Sequence, residues 1–179
     1  MLGKNKAALT STAWHPSGNA VALMSLDYTV SIYSVFLKGY DAPCEPVYLQ
    51  RKNICESPFG SLLHTINLTS WALHGAFSPD GKKFAVCSQD ACVRIETFAK
   101  KDGAIAASQR VALRTLPASR LHFIANNVLV GFGHENTPAV IKQASADSRW
   151  ESVSTDFLKP IRDASPSPPP PSQASAKTR

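Results

Sequence analysis

The chain has 179 residues, of which 44% are hydrophobic and 18% charged, and its formal net charge is +6. This length is ordinary for one domain, and no stretch approaches the ~20 apolar residues that cross a bilayer, so a membrane span is excluded. The basic residues are dispersed or lie near the C-terminus. Because a nucleic-acid groove combines clustered Lys and Arg with exposed aromatics, we expect no nucleic-acid partner. The lack of an apolar span leads us to expect no membrane partner either. A basic nucleic-acid-binding protein is the least favoured alternative.

The first predicted unit follows a short lead-in that lacks the apolar core of a secretory signal, which favours a cytoplasmic protein. Strand-like runs separated by turn signals cover residues 9–15, 20–25 and 29–35. A segment without a clear period, residues 36–60, then precedes a fourth run at 61–67. Long loops inside compact repeats usually carry a function, so we expect an insertion with a role of its own.

Two further units follow along the chain. The second is predicted from strand-like runs at 73–77, 84–88, 92–97 and 109–113, and the third from runs at 120–123, 128–132, 139–142 and 150–153. The units span about 8–67, 71–113 and 118–153 within a domain of residues 8–158. Residues 159–179 are rich in Pro and Ser, and such a tail cannot bury enough apolar area to order itself, so we expect disorder.

A constant offset relates the units. Shifting by 63 residues pairs an aromatic, a Pro-x-Gly turn and a turn aspartate: Trp14 with Phe77, Pro16 with Pro79, Gly18 with Gly81, and Asp27 with Asp90. A weaker third copy places Phe123 opposite Phe77 and Glu135 opposite Asp90. Periods in this range, with four short strands per unit, are typical of WD-type propellers. We therefore predict an all-β fold, a partial WD-repeat β-propeller of about three four-stranded antiparallel blades in an open arc.

The repeated residues are expected to serve the fold. Trp14, Phe77 and Phe123 should pack between neighbouring blades, and Asp27 and Asp90 should brace their turns by hydrogen bonds rather than act in catalysis. Burial on the blade faces is expected for the apolar residues of the middle strands, Val21, Leu23, Phe84, Val86, Leu129 and Val130. Because an open arc leaves a sheet face bare at each end, we expect the isolated chain to be unstable or to associate.

Chemistry-bearing motifs are missing from the sequence. No nucleotide-binding loop, nucleophile elbow or zinc-hydrolase motif occurs, and the histidines never show metal-ligand spacing. The four cysteines contain no C-x-x-C pair and are expected to be reduced structural thiols: Cys44, Cys55, Cys87 and Cys92. We therefore expect no enzyme activity, no metal and no cofactor.

Two features outside the strands are candidates for recognition. The insertion combines aromatic side chains with a basic one, a composition that suits a protein interface, and its candidate contact residues are Tyr40, Tyr48, Arg51 and Phe59. The tail contains a short proline tract of the polyproline II type that SH3-like grooves bind, formed by Pro168, Pro169, Pro170 and Pro171.

Three stretches together resemble one family in its own order. They are TSTAWHPSGNAVALMSLDYTVSIYSVF (10–36), SWALHGAFSPDGKKFAVCSQDACVRI (70–95) and LPASRLHFIANNVLVGFGHENTPAVI (116–141), with SPFG at 57–60 before an outer strand. They are similar to the fourth, fifth and sixth blades of the WD-repeat subunit (subunit 1) of the actin-related protein 2/3 complex. The family's other blades, and the helical insert after its sixth blade, have no counterpart in these stretches.

The resemblance implies a non-enzymatic scaffold within the assembly that nucleates branched actin filaments. The partners it implies are the other subunits of the actin-related protein 2/3 complex and, indirectly, actin filaments. The location it implies is the cytoplasm, in the actin-rich cortical cytoskeleton. A WD-repeat adaptor in an unrelated assembly is the alternative hypothesis.

Overall fold

Twelve strands make up the fold of this chain. The structure is a computed structural model that describes residues 7–41, 57–98, 105–135, 137–145 and 148–153. The strands are β1 (Leu9–Trp14), β2 (Ala20–Ser25), β3 (Thr29–Ser34), β4 (Leu62–Asn67), β5 (Ala72–Phe77), β6 (Lys83–Ser88), β7 (Cys92–Phe98), β8 (Ile105–Ala112), β9 (Ala118–Ala125), β10 (Val128–Gly133), β11 (Ala139–Gln143) and β12 (Trp150–Val153). Within the described ranges there is no helix of the length and apolarity that a membrane crossing requires.

The strands form three separate four-stranded antiparallel sheets. Each sheet takes four strands in chain order, β1 to β4, β5 to β8 and β9 to β12, and these are called the first, second and third blades. The all-β prediction is therefore confirmed. Some outer and inner strands are longer than the sequence indicated, since β8 begins at Ile105 and β9 at Ala118. Alternation in these strands is weak near their ends, so pairing with a neighbour rather than local pattern sets their length.

The turn between the first two strands of a blade recurs in the first and second blades. Gly18 and Gly81 have φ of 76° and 69°, the left-handed region that glycine enters without steric cost. Their amides donate to the carbonyls of His15 and Ser78, at 2.9 and 2.8 Å. These two acceptors are themselves 63 residues apart, so the offset seen in the sequence is also an offset in hydrogen bonding.

The blades stack face to face, and their alternating strands fill two junctions. The first junction lies between the first and second blades and buries Ala20, Ala22, Met24, Val30, Ile32, Ile66, Ala72, Phe77, Phe84, Val86 and Phe98. The second junction lies between the second and third blades and buries Ala85, Cys87, Val93, Ile95, Val111, Leu113, Ala118, Leu121, Phe123, Leu129, Ile141 and Trp150. Successive residues of β6 thus belong to opposite junctions, as the period of two of a strand requires.

In the second and third blades, equivalent pairs of residues place glycine on opposite strands of the pair. Gly75 of β5 pairs with Val86 of β6, whereas in the third blade Leu121 of β9 pairs with Gly131 of β10. A Cβ on Gly75 would clash with the ring of Phe84, and one on Gly131 would press on Leu121. One small and one large residue at each pair therefore keep the space between blades filled.

Trp14 differs from the two aromatics that share its repeat position. Phe77 lies in the first junction and Phe123 in the second, and both are buried. Trp14 pairs with Val21 on the face of the first blade that points away from the second, and it is 62% exposed. The expectation that Trp14 packs between blades is wrong, because no preceding blade lies against that face among the described strands.

Candidate functional site

The turn aspartate of the second blade is held by three side chains. The Asp90 carboxylate accepts hydrogen bonds from Ser88 Oγ, from Thr69 Oγ1 at 2.8 Å and from Arg110 Nη2 at 2.7 Å. Partial burial raises the pKa of Asp90, but the hydrogen bonds from Ser88 and Thr69 and the charge of Arg110 outweigh it and lower that pKa below its usual value. The carboxylate therefore stays ionised and ties three strand ends together, which is a bracing geometry.

The acidic residues at the equivalent turns have different partners, none of which is a basic side chain in the described structure. Asp27 accepts hydrogen bonds from the Thr29 amide at 3.2 Å and the Thr29 hydroxyl at 2.6 Å, and these bonds lower the pKa of its carboxyl. Glu135 accepts from the Leu116 amide at 3.2 Å, close to the position that Thr69 occupies beside Asp90. These contacts of Asp27 and Glu135 join each turn to a neighbouring backbone amide or a short side chain, so they also brace the fold.

Two histidines, buried His15 and half-buried His74, serve as links between blades. His15 shares hydrogen bonds with Ser17 Oγ at 2.8 Å and with the carbonyl of Gly81 at 3.2 Å, so it joins the first two blades. His74 Nδ1 accepts from the Leu121 amide at 3.2 Å, which joins the second blade to the third. Burial lowers the pKa of both side chains, so each is neutral near pH 7, as the acceptor role of His74 requires.

A polar cluster that sequence reasoning missed lies in the outer part of the first junction. Glu96 is fully buried, and its Oε1 accepts from Arg94 Nε and from Ser108 Oγ at 3.0 Å. Arg94 also donates to the Asn67 carbonyl at 2.7 Å, which ties the second blade to the first. Two atoms of the cluster, Glu96 Oε2 and His64 Nε2, are buried without a hydrogen-bond partner in the described structure. The signal in the sequence was a charged pair inside the otherwise apolar strand β7.

The cysteines of the second blade are free and buried. Burial raises the pKa of the Cys87 thiol to about 12, and its sulfur donates to the His74 carbonyl. A thiol with such a pKa stays protonated and is a poor nucleophile. Cys44 and Cys55 lie outside the described residues.

The described part of the chain contains no cluster of side chains of the kind that binds a metal ion or acts in catalysis. It contains no set of three or more His, Cys, Asp or Glu residues placed to hold a metal ion. A cleft of about 510 Å³ lies between β8 and β12 and is lined by Ile95, Thr97, Ala106, Ala107, Ser108, Gln109, Gln143, Ser148, Arg149 and Trp150. This lining has no acid, histidine or cysteine, so it offers no general acid, base or nucleophile of those kinds.

The insertion between β3 and β4 begins and ends at one place. The Gly60 amide donates to the Ser34 carbonyl at 2.8 Å, and the Ser34 amide donates to the Ser61 carbonyl at 2.9 Å. Two of the predicted contact residues, Tyr40 and Phe59, are 91% and 57% exposed near these stems. Leu37 and Leu62, which lie close to them along the chain, are also exposed, so the base of the insertion carries several exposed large apolar side chains. The other predicted contacts, Tyr48, Arg51, Pro168, Pro169, Pro170 and Pro171, lie outside the described residues.

Comparisons with known proteins agree with this fold. The chain is 28% identical over 138 residues to actin-related protein 2/3 complex subunits 1A and 1B of Arabidopsis thaliana, covering 76% of this chain and 35% of each relative. It is 27% identical over 136 residues to subunit 1B-A of the same complex from Xenopus laevis, covering 75% of this chain and 35% of that protein. The chain thus spans about a third of the length of these curated relatives.

A solved structure shares the architecture. The WD40 repeats of RRP9 superpose with a TM-score of 0.59 at 17% identity, covering 86% of this chain and 39% of that one, a likeness that concerns the fold. No protein-family model matches the chain. The chain is a WD-repeat protein distantly related to subunit 1 of the actin-related protein 2/3 complex.

Proposed function

We propose that this protein is a non-enzymatic scaffold that takes part in the actin-nucleating assembly of its distant relatives. The observation that carries this proposal is the distant relation to the 2/3 complex subunits across three stacked blades. The titratable side chains of the described residues support it, since the turn acids and the histidines His15 and His74 bond to the fold itself. Polar groups engaged in this way stabilise blades rather than turn over a substrate.

The partners under this proposal are the other subunits of the actin-related protein 2/3 complex, with actin filaments contacted indirectly. The location is the cytoplasm, in the actin-rich cortical cytoskeleton. The surface we assign to subunit contact is the base of the insertion, where Tyr40 and Phe59 are exposed. Aromatic side chains of this kind are enriched among the residues that dominate binding energy at protein interfaces.

Affinity purification of the full chain from its native cells tests the proposal. We expect the other 2/3 complex subunits to be recovered with the wild-type chain and to be reduced for a Tyr40→Ser, Phe59→Ser double variant. Ile124→Ser is the matched control, because Ile124 is 66% exposed on the third blade and lies outside the assigned surface. Recovery of the chain with none of those subunits contradicts the proposal. Recovery with an unrelated, non-cytoskeletal set of proteins supports the alternative adaptor role.

A further inference from the structure

Four large apolar side chains are exposed at one end of the first two blades. They are Leu9, Leu26, Tyr28 and Trp71, with exposed fractions of 47%, 36%, 47% and 47%, and they are called the rim patch. The segments that carry them are joined by short backbone contacts. The Leu26 amide donates to the Ala8 carbonyl at 3.1 Å, and the Leu68 amide to the Tyr28 carbonyl at 2.7 Å. Thr10 Oγ1 donates to the Ala72 carbonyl at 2.6 Å, next to Trp71.

The turn that carries Tyr28 has an equivalent in the second blade, and the two differ in side chains. Residues 26–28 are Leu-Asp-Tyr, and the residues 63 positions later, 89–91, are Gln-Asp-Ala. The third residue of each turn has a positive φ, 68° for Tyr28 and 55° for Ala91. This conformation disfavours a bulky side chain and is better suited to Gly or Asn. An exposed tyrosine at this position is therefore not explained by the turn, and strained positions of this kind cluster at functional sites.

The two turn aspartates also differ in their partners. Asp90 forms an ion pair with Arg110 at 2.7 Å. Asp27 accepts hydrogen bonds from Thr29, and within the described ranges no lysine or arginine forms an ion pair with it. The rim patch therefore combines two aromatic rings and aliphatic surface with the exposed carboxylate of Asp27, which lies in the same turn as Leu26 and Tyr28.

We propose that the rim patch binds a basic–apolar peptide segment of a partner protein, in which an apolar side chain lies within a few residues of a lysine or arginine. The apolar side chain packs on Leu26 and Trp71. The cation pairs with Asp27 and lies over the ring of Tyr28, where both the carboxylate and the ring face attract positive charge. Aromatic side chains ringed by polar groups are the usual anatomy of such an interface. This surface is separate from the base of the insertion and does not depend on the identity of the assembly proposed above.

Selection of a phage-displayed random peptide library on the full chain tests the proposal. We expect the enriched peptides to combine an aromatic or leucine with Lys or Arg within about three residues, since that is the reach of neighbouring side chains on an extended segment. A selected peptide, synthesised with a fluorescent label, is then titrated with the full chain. Its binding should weaken as salt rises, because the pairing with Asp27 is exposed and therefore screened.

Variants connect the binding to the patch. Trp71→Ser and Tyr28→Asn should each weaken binding of the labelled peptide by about tenfold or more, the loss expected for a central contact. Asp27→Asn should weaken it by roughly two- to fivefold and should flatten its salt dependence, because an exposed ion pair contributes less. Asn suits a positive φ, so Tyr28→Asn should fold with an unchanged or raised melting temperature, which separates lost binding from lost folding. Ile124→Ser and Phe132→Ser, both at exposed positions of the third blade, are matched controls that should bind normally.

Three results would overturn the proposal. One is that no library peptide binds the wild-type chain, another is that enriched peptides are acidic or lack basic residues, and the third is that the rim variants bind as well as the controls. Purification of the wild-type chain with none of the actin-related protein 2/3 complex subunits, together with intact peptide binding, would contradict the scaffold proposal and leave this surface standing.

Discussion

The two junctions between blades are equivalent in topology but are held by different interactions. At the first junction an aromatic pair dominates, with the rings of Phe77 and Phe84 at 4.6 Å and 53°. At the second, the Gln109 side chain makes a two-way bridge across blades, donating to the Trp150 carbonyl at 2.6 Å and accepting from the Trp150 amide at 2.8 Å. Lys83 adds to it by donating to the Asn126 carbonyl at 3.0 Å, with its ammonium 5.0 Å from the Trp150 ring centroid.

The junctions also differ in how completely their polar atoms are paired. The buried side-chain atoms without a hydrogen-bond partner in the described structure are Ser11 Oγ, His64 Nε2 and Glu96 Oε2. Ser11 pairs with Met24, a residue of the first junction, and His64 interacts electrostatically with Glu96. All three therefore belong to the first junction. An unpaired buried polar atom costs about 1–3 kcal/mol, so apolar packing must offset a penalty there that the second junction avoids.

Truncating the aromatic core of the first junction should have the largest effect. Phe84 is fully buried, packs on Phe77 and fills the space left by Gly75. We expect Phe84→Ala to lower the free energy of unfolding by about 3–5 kcal/mol. Urea unfolding followed by circular dichroism measures this, with Leu129→Ala as the equivalent truncation in the second junction. A smaller loss for Phe84→Ala than for Leu129→Ala would show that aromatic packing does not dominate the first junction.

Replacing each repeated turn glycine with alanine should show how much stability is lost through backbone strain and how much through packing at the junction. Gly18 and Gly81 both have a positive φ, but a Cβ on Gly18 meets nothing within 4 Å, whereas one on Gly81 would clash with the His15 ring. We expect Gly18→Ala to cost about 1–2 kcal/mol from strain alone, and Gly81→Ala about 1–3 kcal/mol more from overpacking. Thermal unfolding of the two variants measures the difference. Equal losses would mean that His15 moves aside freely and contributes little to the junction.

Apolar substitution should have opposite signs at the two junctions. Gln109→Leu leaves the Trp150 amide and carbonyl without their bridge and should cost about 1–3 kcal/mol. His64→Leu removes a buried nitrogen that has no hydrogen-bond partner and should be neutral or stabilising by up to about 1 kcal/mol. Urea midpoints of both variants test this. A clear loss of stability for His64→Leu would indicate a water-mediated bond between His64 and Glu96.

Acid should weaken the chain through three histidines whose pKa values are lowered in the fold, and this is the smallest expected effect. Burial lowers the pKa values of His15, His64 and His74 from 6.5. The unfolded chain therefore takes up protons first as the pH falls below 6.5, so the stability from neutral histidine is full above that pH and is lost below it. The melting temperature, measured from pH 8 down to pH 5, should fall once the pH drops below 6.5. This fall should be shallower for His64→Leu than for the wild-type chain. A variant whose melting temperature depends on pH in the same way as that of the wild-type chain would contradict the role of His64.

Much of the fold was accessible from local patterns. The twelve strands follow runs of apolar residues, and the repeated turns at Gly18 and Gly81 follow their Pro-x-Gly signals. The turn acids were identified from their repetition, but not the partner Arg110 of Asp90, which lies on the opposite strand end 20 residues away. The rim patch was missed because its residues come from separate segments, although a tyrosine in the place of Ala91 was a visible signal.

The sequence by itself determined the strand order, the alternation of each strand and the turn positions, because these depend on residues that are neighbours along the chain. Only the tertiary structure decided what each blade face meets. Trp14 shares the repeat position of Phe77 but is exposed, since burial depends on the blade beside it and not on its own strand. The bridge from Gln109 to Trp150 and the unpaired Oε2 atom of Glu96 were likewise set by stacking, which brings together side chains that no local spacing relates.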